Sequence, residues 1–163
     1  MRNLLVLALV LTGGAAEARN VLDTHFNSRG AASDGCFVRS YTRAHLAQHP
    51  RQTVRQMMVI RSAERAPQGG VVVDVLVAVN APDPTHAIQA SCTARGDRQV
   101  CVNTDGSQGG FTLSAAKNGA LLMQLMPQGL VFGAADNEGV WLQGDAGDDR
   151  EFLIPNVDQQ NCM

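Results

Sequence analysis

Ile88-Gln-Ala-Ser-Cys-Thr-Ala-Arg-Gly-Asp-Arg-Gln-Val-Cys-Val-Asn103 is the stretch on which the fold turns. Ile88 to Ala94 and Arg98 to Asn103 read as strands, with Gly96-Asp97 between them. Glycine first in a two-residue loop suits a type II′ hairpin turn, because glycine accepts positive φ. Counting outward from that turn, Arg95 faces Arg98, Thr93 faces Val100 and Cys92 faces Cys101. The alternation makes Cys92 and Cys101 a non-hydrogen-bonded pair, where Cα atoms approach to ~4.5 Å, at the short end of disulfide reach. A Cys92–Cys101 cross-strand disulfide is therefore expected. The chain has four cysteines, so Cys36 and Cys162 remain to pair and tie the ends of the domain together. Arg95-Gly96-Asp97 also spells an adhesion tripeptide, but the hairpin accounts for each of its residues.

Disulfides need an oxidising compartment, and the start of the chain supplies a route to one. Arg2 gives a positive start, Leu4 to Leu11 is an unbroken apolar run, and Ala16-Glu17-Ala18 is a small-x-small cleavage pattern. Residues 1–18 read as a secretory signal peptide cut after Ala18. The run of eight apolar residues is too short to span a bilayer, so no membrane span is expected after processing. Residues 19–163 are expected to form a single disulfide-stapled domain, periplasmic or secreted. The competing reading of the cysteines, as metal ligands or a redox pair, lacks a Cys-x-x-Cys motif.

The rest of the chain reads as strands and turns. Val71 to Val79 alternates, with Val71, Val73, Val75, Val77 and Val79 on one face and Asp74 on the other. Thr53 to Ser62 precedes it. Phe111 to Lys117 and Ala120 to Met126 flank Asn118-Gly119, a strong hairpin signal. Met126-Pro127-Gln128-Gly129 fits a type I turn, and Leu130 to Ala134, Val140 to Gln143 and Glu151 to Ile154 complete the series. Residues 19–34 read as a loose lead-in, and Ser40 to His49 as one short helix capped by Ser40 and stopped by Pro50. No αβ alternation and no internal repeat is visible. The expected fold is all-β: a small antiparallel meander barrel of about eight strands with one short N-terminal helix, a β-sandwich being the alternative. Closure removes exposed strand edges, which favours the barrel.

Composition excludes some roles. From Arg19 onward the chain carries 12 basic and 14 acidic residues, a balance that argues against a nucleic-acid binder. The charge is uneven: residues 19–65 hold eight arginines against three acids, and residues 66–163 hold four basic residues against eleven acids. The two halves are expected to attract each other within one fold. Five Phe, one Tyr and one Trp give little of the stacking surface that carbohydrate or single-strand nucleic-acid platforms use.

No catalytic or cofactor motif stands out. His45 and His49 lie four apart on the expected helix, a candidate divalent-metal pair to which His25 or His86 could add a ligand. Leu46 occupies the position of the Glu in a zinc-protease motif, and His49 has a structural use at a helix end. Met57, Met58, Met123, Met126 and Met163 invite a copper reading, but adjacent strand residues face opposite ways and core filling accounts for them. Asp145, Asp148 and Asp149 form an acidic loop that reads as a solvated turn, with Arg150 neutralising part of its charge; EF-hand spacing is absent. Ser91, Ser107 and Ser114 lack the flanking residues of a nucleophile motif.

These features lead to an exported, non-enzymatic binding module of the bacterial envelope, without a cofactor. An envelope protein is favoured as partner over a small apolar ligand. In size, location and general design the chain resembles exported β-barrel lysozyme inhibitors, which implies a hydrolase stopped by an inserted loop; no inhibitor motif is present. One alternative is a carrier whose barrel interior, lined by Val73, Val75, Val77, Leu113 and Leu122, holds an apolar ligand. Another is an enzyme or metal-binding protein built on His45 and His49.

Overall fold

The cysteine hairpin forms in the expected register. β4 (Thr85–Arg95) and β5 (Arg98–Asn103) pair antiparallel, with Arg95 opposite Arg98 and Cys92 opposite Cys101. Gly96 takes φ 65° while Asp97 stays out of the left-handed region, as a type II′ turn requires. The Cys92–Cys101 disulfide is present with its Cα atoms 4.0 Å apart, the close approach of a non-hydrogen-bonded pair. These features come from a computed structural model, which describes residues 21–26, 35–64, 66, 70–79, 85–133 and 139–162. The stretch read as a signal peptide lies outside them.

Seven further strands flank this hairpin: β1 (Cys36–Ser40), β2 (Val54–Arg61), β3 (Val71–Val79), β6 (Gly109–Ala115), β7 (Leu121–Phe132), β8 (Val140–Leu142) and β9 (Glu151–Ile154). They form one antiparallel meander in the order β1-β2-β3-β4-β5-β6-β7-β8, with β9 also on β7. β8 and β9 share the edge of β7 that β6 leaves open. β9 runs along Leu121–Gln124 and β8 along Leu130–Phe132. The sheet curls until its first strand meets the stretch after β9. Phe37 bridges to Asn156, Val38 N–H donates to the Pro155 carbonyl at 3.1 Å, and Val157 N–H donates to that of Cys36 at 3.1 Å. The Cys36–Cys162 disulfide spans 126 residues of chain and lies at this same seam. The all-β barrel-like meander is thus the observed architecture, and both expected disulfides staple it.

Period-2 alternation fills the interior. Val71, Val73, Val75 and Val77 turn inward to meet Phe37, Met57, Phe111, Leu113, Met123 and Phe152 in one buried cluster. Asp74 lies on the opposite face, where Gln89 donates to it at 3.2 Å.

Four local expectations are corrected. Ser40 does not start a helix; it ends β1, opposite Gln56. The helix is α2, Arg43–Gln48, and Thr42 caps it by accepting from the His45 N–H at 3.2 Å. The lead-in is not wholly loose either: α1 (Val21–His25) packs on β5 and β6 with Val21 and Phe26 buried. Residues 27–34 of that lead-in lie outside the described residues.

The Met126–Gly129 turn is instead a bulge inside a continuous β7. The register there jumps from Phe111 opposite Leu125 to Gly109 opposite Leu130. Gly129 (φ 79°) makes the bulge possible: a Cβ on it would sit 2.4 Å from the Leu142 carbonyl oxygen. Asn118-Gly119 does turn the chain, with φ of 59° and 72° as a type I′ turn needs. Ala115 nevertheless pairs with Leu121, so a residue of slack separates turn and ladder.

The fourth correction concerns the acidic loop. Asp145 is exposed, but Asp149 is buried at 6% exposure, so the segment is not simply a solvated turn. Arg150 is exposed, and the loop's ion pair is Arg51–Asp148, at 3.7 Å. That pair joins the basic and acidic halves of the sequence.

Candidate functional site

The buried Asp149 carboxylate organises the surface around it. Its Oδ2 accepts from the Thr53 N–H and from the Thr53 hydroxyl, each at 2.6 Å, and its Oδ1 accepts from the Val54 N–H at 3.1 Å. These three donors offset the cost of burying the charge. They pin the 143–150 loop to the start of β2. Gly144 lets the loop leave β8 tightly, since a Cβ there would meet the Met126 carbonyl oxygen at 1.6 Å.

A cleft of about 330 Å³ opens on one side of the pinned loop, lined by Arg51, Thr53, Trp141, Leu142, Gln143 and Ala146 among others. In β8 Leu142 turns inward and Trp141 outward. Trp141, the only tryptophan in the chain, is 58% exposed. Its indole is nonetheless oriented: Nε1 donates to the Gln128 carbonyl at 3.4 Å. The ring lies over Gly129, where a Cβ would come within 2.6 Å of Nε1.

A second cleft, about 220 Å³, lies on the other side and is lined by Arg39, Tyr41, His45, His49, Gln52 and Asp148 among others. Arg51 lines the first cleft and Asp148 the second, so their ion pair stands between the two. Here His45 stacks on His49 with ring centroids 4.3 Å apart, and Tyr41 lies tilted against His45 at 4.8 Å. The Arg39 guanidinium lies 5.3 Å from the Tyr41 ring centre. Burial pushes the Tyr41 hydroxyl above its ordinary pKa of 10.0, outweighing the downward pull of the adjacent Arg39.

The histidine pair has a definite geometry. His45 and His49 stack with only 21° between their planes. Lone pairs of such rings lie in near-parallel planes set apart by the stack, whereas shared metal ligation needs them to converge on one point. Gln52 donates through Nε2 to the Val54 carbonyl, which turns its Oε1 to face His45 Nε2 at 2.9 Å. His45 Nε2 is therefore the proton-bearing nitrogen and is engaged.

His25 and His86 are not brought to this pair. His25 Nε2 contacts the Ala120 carbonyl at 3.0 Å and its ring stacks on Phe37, and His86 lies opposite Val77 in β4. Burial lowers the His25 pKa from 6.5, against the upward pull of the Ala120 carbonyl. Among the described residues no group of three His, Cys, Asp or Glu could hold a metal ion.

The proposed carrier lining behaves as core. Val73, Val75, Val77 and Leu113 keep 0% of their accessible area, whereas a side chain lining a chamber large enough for water would keep some. Leu122 does not point inward with them; it is half-buried on the other face of β7.

Sequence reasoning missed Trp141 and Arg51 as site residues. The one available signal was a lone tryptophan in a three-residue strand beside an Asp-Gly-rich loop. No family model, curated protein or solved structure matches the chain. The two disulfides indicate an oxidising, non-cytoplasmic compartment. No described helix is long and apolar enough to cross a membrane.

Proposed function

We propose that the chain is exported to the bacterial envelope, periplasmic or secreted after cleavage behind Ala18, and that it works there as a non-enzymatic protein-binding module. Its contact face is the pinned 143–150 loop with the clefts on either side. The observation that carries this reading is Trp141, 58% exposed yet held by Gln128 and seated on Gly129. An exposed indole whose orientation is already set loses little freedom on binding, and Trp, Tyr and Arg are the residues that dominate protein interfaces. Arg51 and Tyr41 lie within the same face. A hydrolase is the partner class suggested by the general design of the module.

The test has two parts. N-terminal sequencing of the exported chain is expected to begin at Arg19. Affinity capture from envelope extract is expected to retain the same protein with and without divalent metal, and to lose it with Trp141→Ala. Retention by that variant equal to wild type would end the assignment of this face.

A further inference from the structure

The backbone of β8 carries more than its side chains do. Asn103 Nδ2 donates to the Val131 carbonyl at 3.2 Å, so Val131 turns its backbone polar groups toward the β5–β6 side of β7. In an antiparallel ladder the N–H and C=O of one residue point the same way. Val131 lies opposite Trp141, which makes this a non-hydrogen-bonded pair. The N–H and C=O of Trp141 therefore point away from β7. The flanking residues agree: the Leu142 carbonyl lies on the β7 side, against Gly129, and the Phe132 carbonyl lies against Gly139.

Among the described residues β8 pairs with β7 alone, because β9 pairs further along β7. This leaves β8 a free edge, and its Trp141 and Leu142 line the 330 Å³ cleft together with Arg51, Thr53, Ala146 and Asp149 among others. Val-Trp-Leu offers no charge or proline to blunt this edge.

We propose that this edge takes up an extended peptide segment of the protein partner, which adds an antiparallel strand beside β8 and exchanges hydrogen bonds with the N–H and C=O of Trp141. The proposal rests on the binding-module reading above and names its mode of recognition. A single extended chain is one strand spacing wide, about 4.7–4.9 Å, the least bulky occupant that can satisfy the edge. A second copy of this chain would bring its own loop and walls to the same cleft, so a peptide segment is the occupant. The residue opposite Trp141 shares its outward face, and an aromatic or β-branched side chain there makes the favourable cross-strand pair.

A phage-displayed library of linear peptides, selected on the mature disulfide-bonded chain, supplies the probes. Each recovered peptide is then synthesised plain and with a single backbone N-methyl group at successive positions. Methylation at the position facing Trp141 is expected to weaken binding about tenfold, the worth of one hydrogen bond. Methylation at its immediate neighbours is expected to change little. The Trp141 amide is expected to gain protection from hydrogen exchange when the peptide binds. Equal binding by all methylated forms, protection centred on Tyr41–His49, failure to recover any peptide, or protection of the Trp141 amide by self-association alone would each overturn strand addition. If envelope capture still depends on Trp141 in those cases, the binding-module reading stands without it; if capture fails too, both fall.

Discussion

The Asp149 carboxylate and Thr53 lie 96 residues apart in the chain, yet one Asp149 oxygen accepts from both the backbone N–H and the hydroxyl of Thr53, each at 2.6 Å. With Val54 added, the contact ties the loop that carries the clefts to the barrel wall.

Replacing Asp149 by Ala leaves those donors unpaired in a buried site. We expect a loss of about 3 kcal/mol in unfolding free energy, measured by urea titration. Asp149→Asn, which keeps one acceptor oxygen, should lose less. An effect of Asp149→Ala within about 0.5 kcal/mol of zero, the usual range for surface substitutions, would show that the carboxylate is not the pin.

The two disulfides close loops of very different length, 126 and 9 residues of separation. Chain entropy assigns about 5 kcal/mol to the long one and about 3 kcal/mol to the short one. Paired serine replacement of Cys36 and Cys162 should therefore lower the denaturation midpoint more than that of Cys92 and Cys101. Peptide mapping without reductant should recover the same two pairs from the native protein.

His25 is packed against Phe37, and burial lowers its pKa in the fold below the ordinary 6.5. Between the two values the unfolded chain binds more protons than the folded one. The stability His25 contributes is fully present above pH 6.5, and it is lost as the pH falls toward and through the lowered value. Urea titrations across that window should show stability falling with acidification, and His25→Gln should flatten the slope. An unchanged slope in the variant would assign the dependence to other groups.

Tyr41 is the only tyrosine, so the phenolate absorbance reports it alone. Its titration midpoint should lie above 10.0 in the folded chain. Arg39→Ala removes a charge that favours the phenolate, and should raise the midpoint further. A downward shift in that variant would mean that Arg39 does not act on the hydroxyl.

What could be read in advance follows from the range of the interactions involved. The hairpin register and the Cys92–Cys101 bond were legible because glycine chemistry and residue counting act within a few positions of Gly96, and Cys36–Cys162 followed by elimination among four cysteines. The Val71–Val79 alternation was legible for the same reason. β7 was not: the pattern proposed a turn at Pro127 and Gly129, while the structure absorbs both into a bulge because β6 and β8 continue pairing beyond it. β1 was missed because Cys36-Phe37-Val38 is short and gains its partners from β2 and the distant Asn156. The face around Trp141 was hidden because its parts come from β8, the 143–150 loop and the start of β2. Nothing local in the sequence links Arg51 to Asp148.

The seam between β1 and the 155–157 segment has a consequence for how the protein is made. Cys36 and Phe37 leave the ribosome long before Asn156 and Cys162, and Val38 finds its outward partner only in Pro155. The cylinder therefore cannot lock before residues 155–162 have been made. Closure waits for the 155–162 segment, and an oxidising compartment completes it with a covalent clasp.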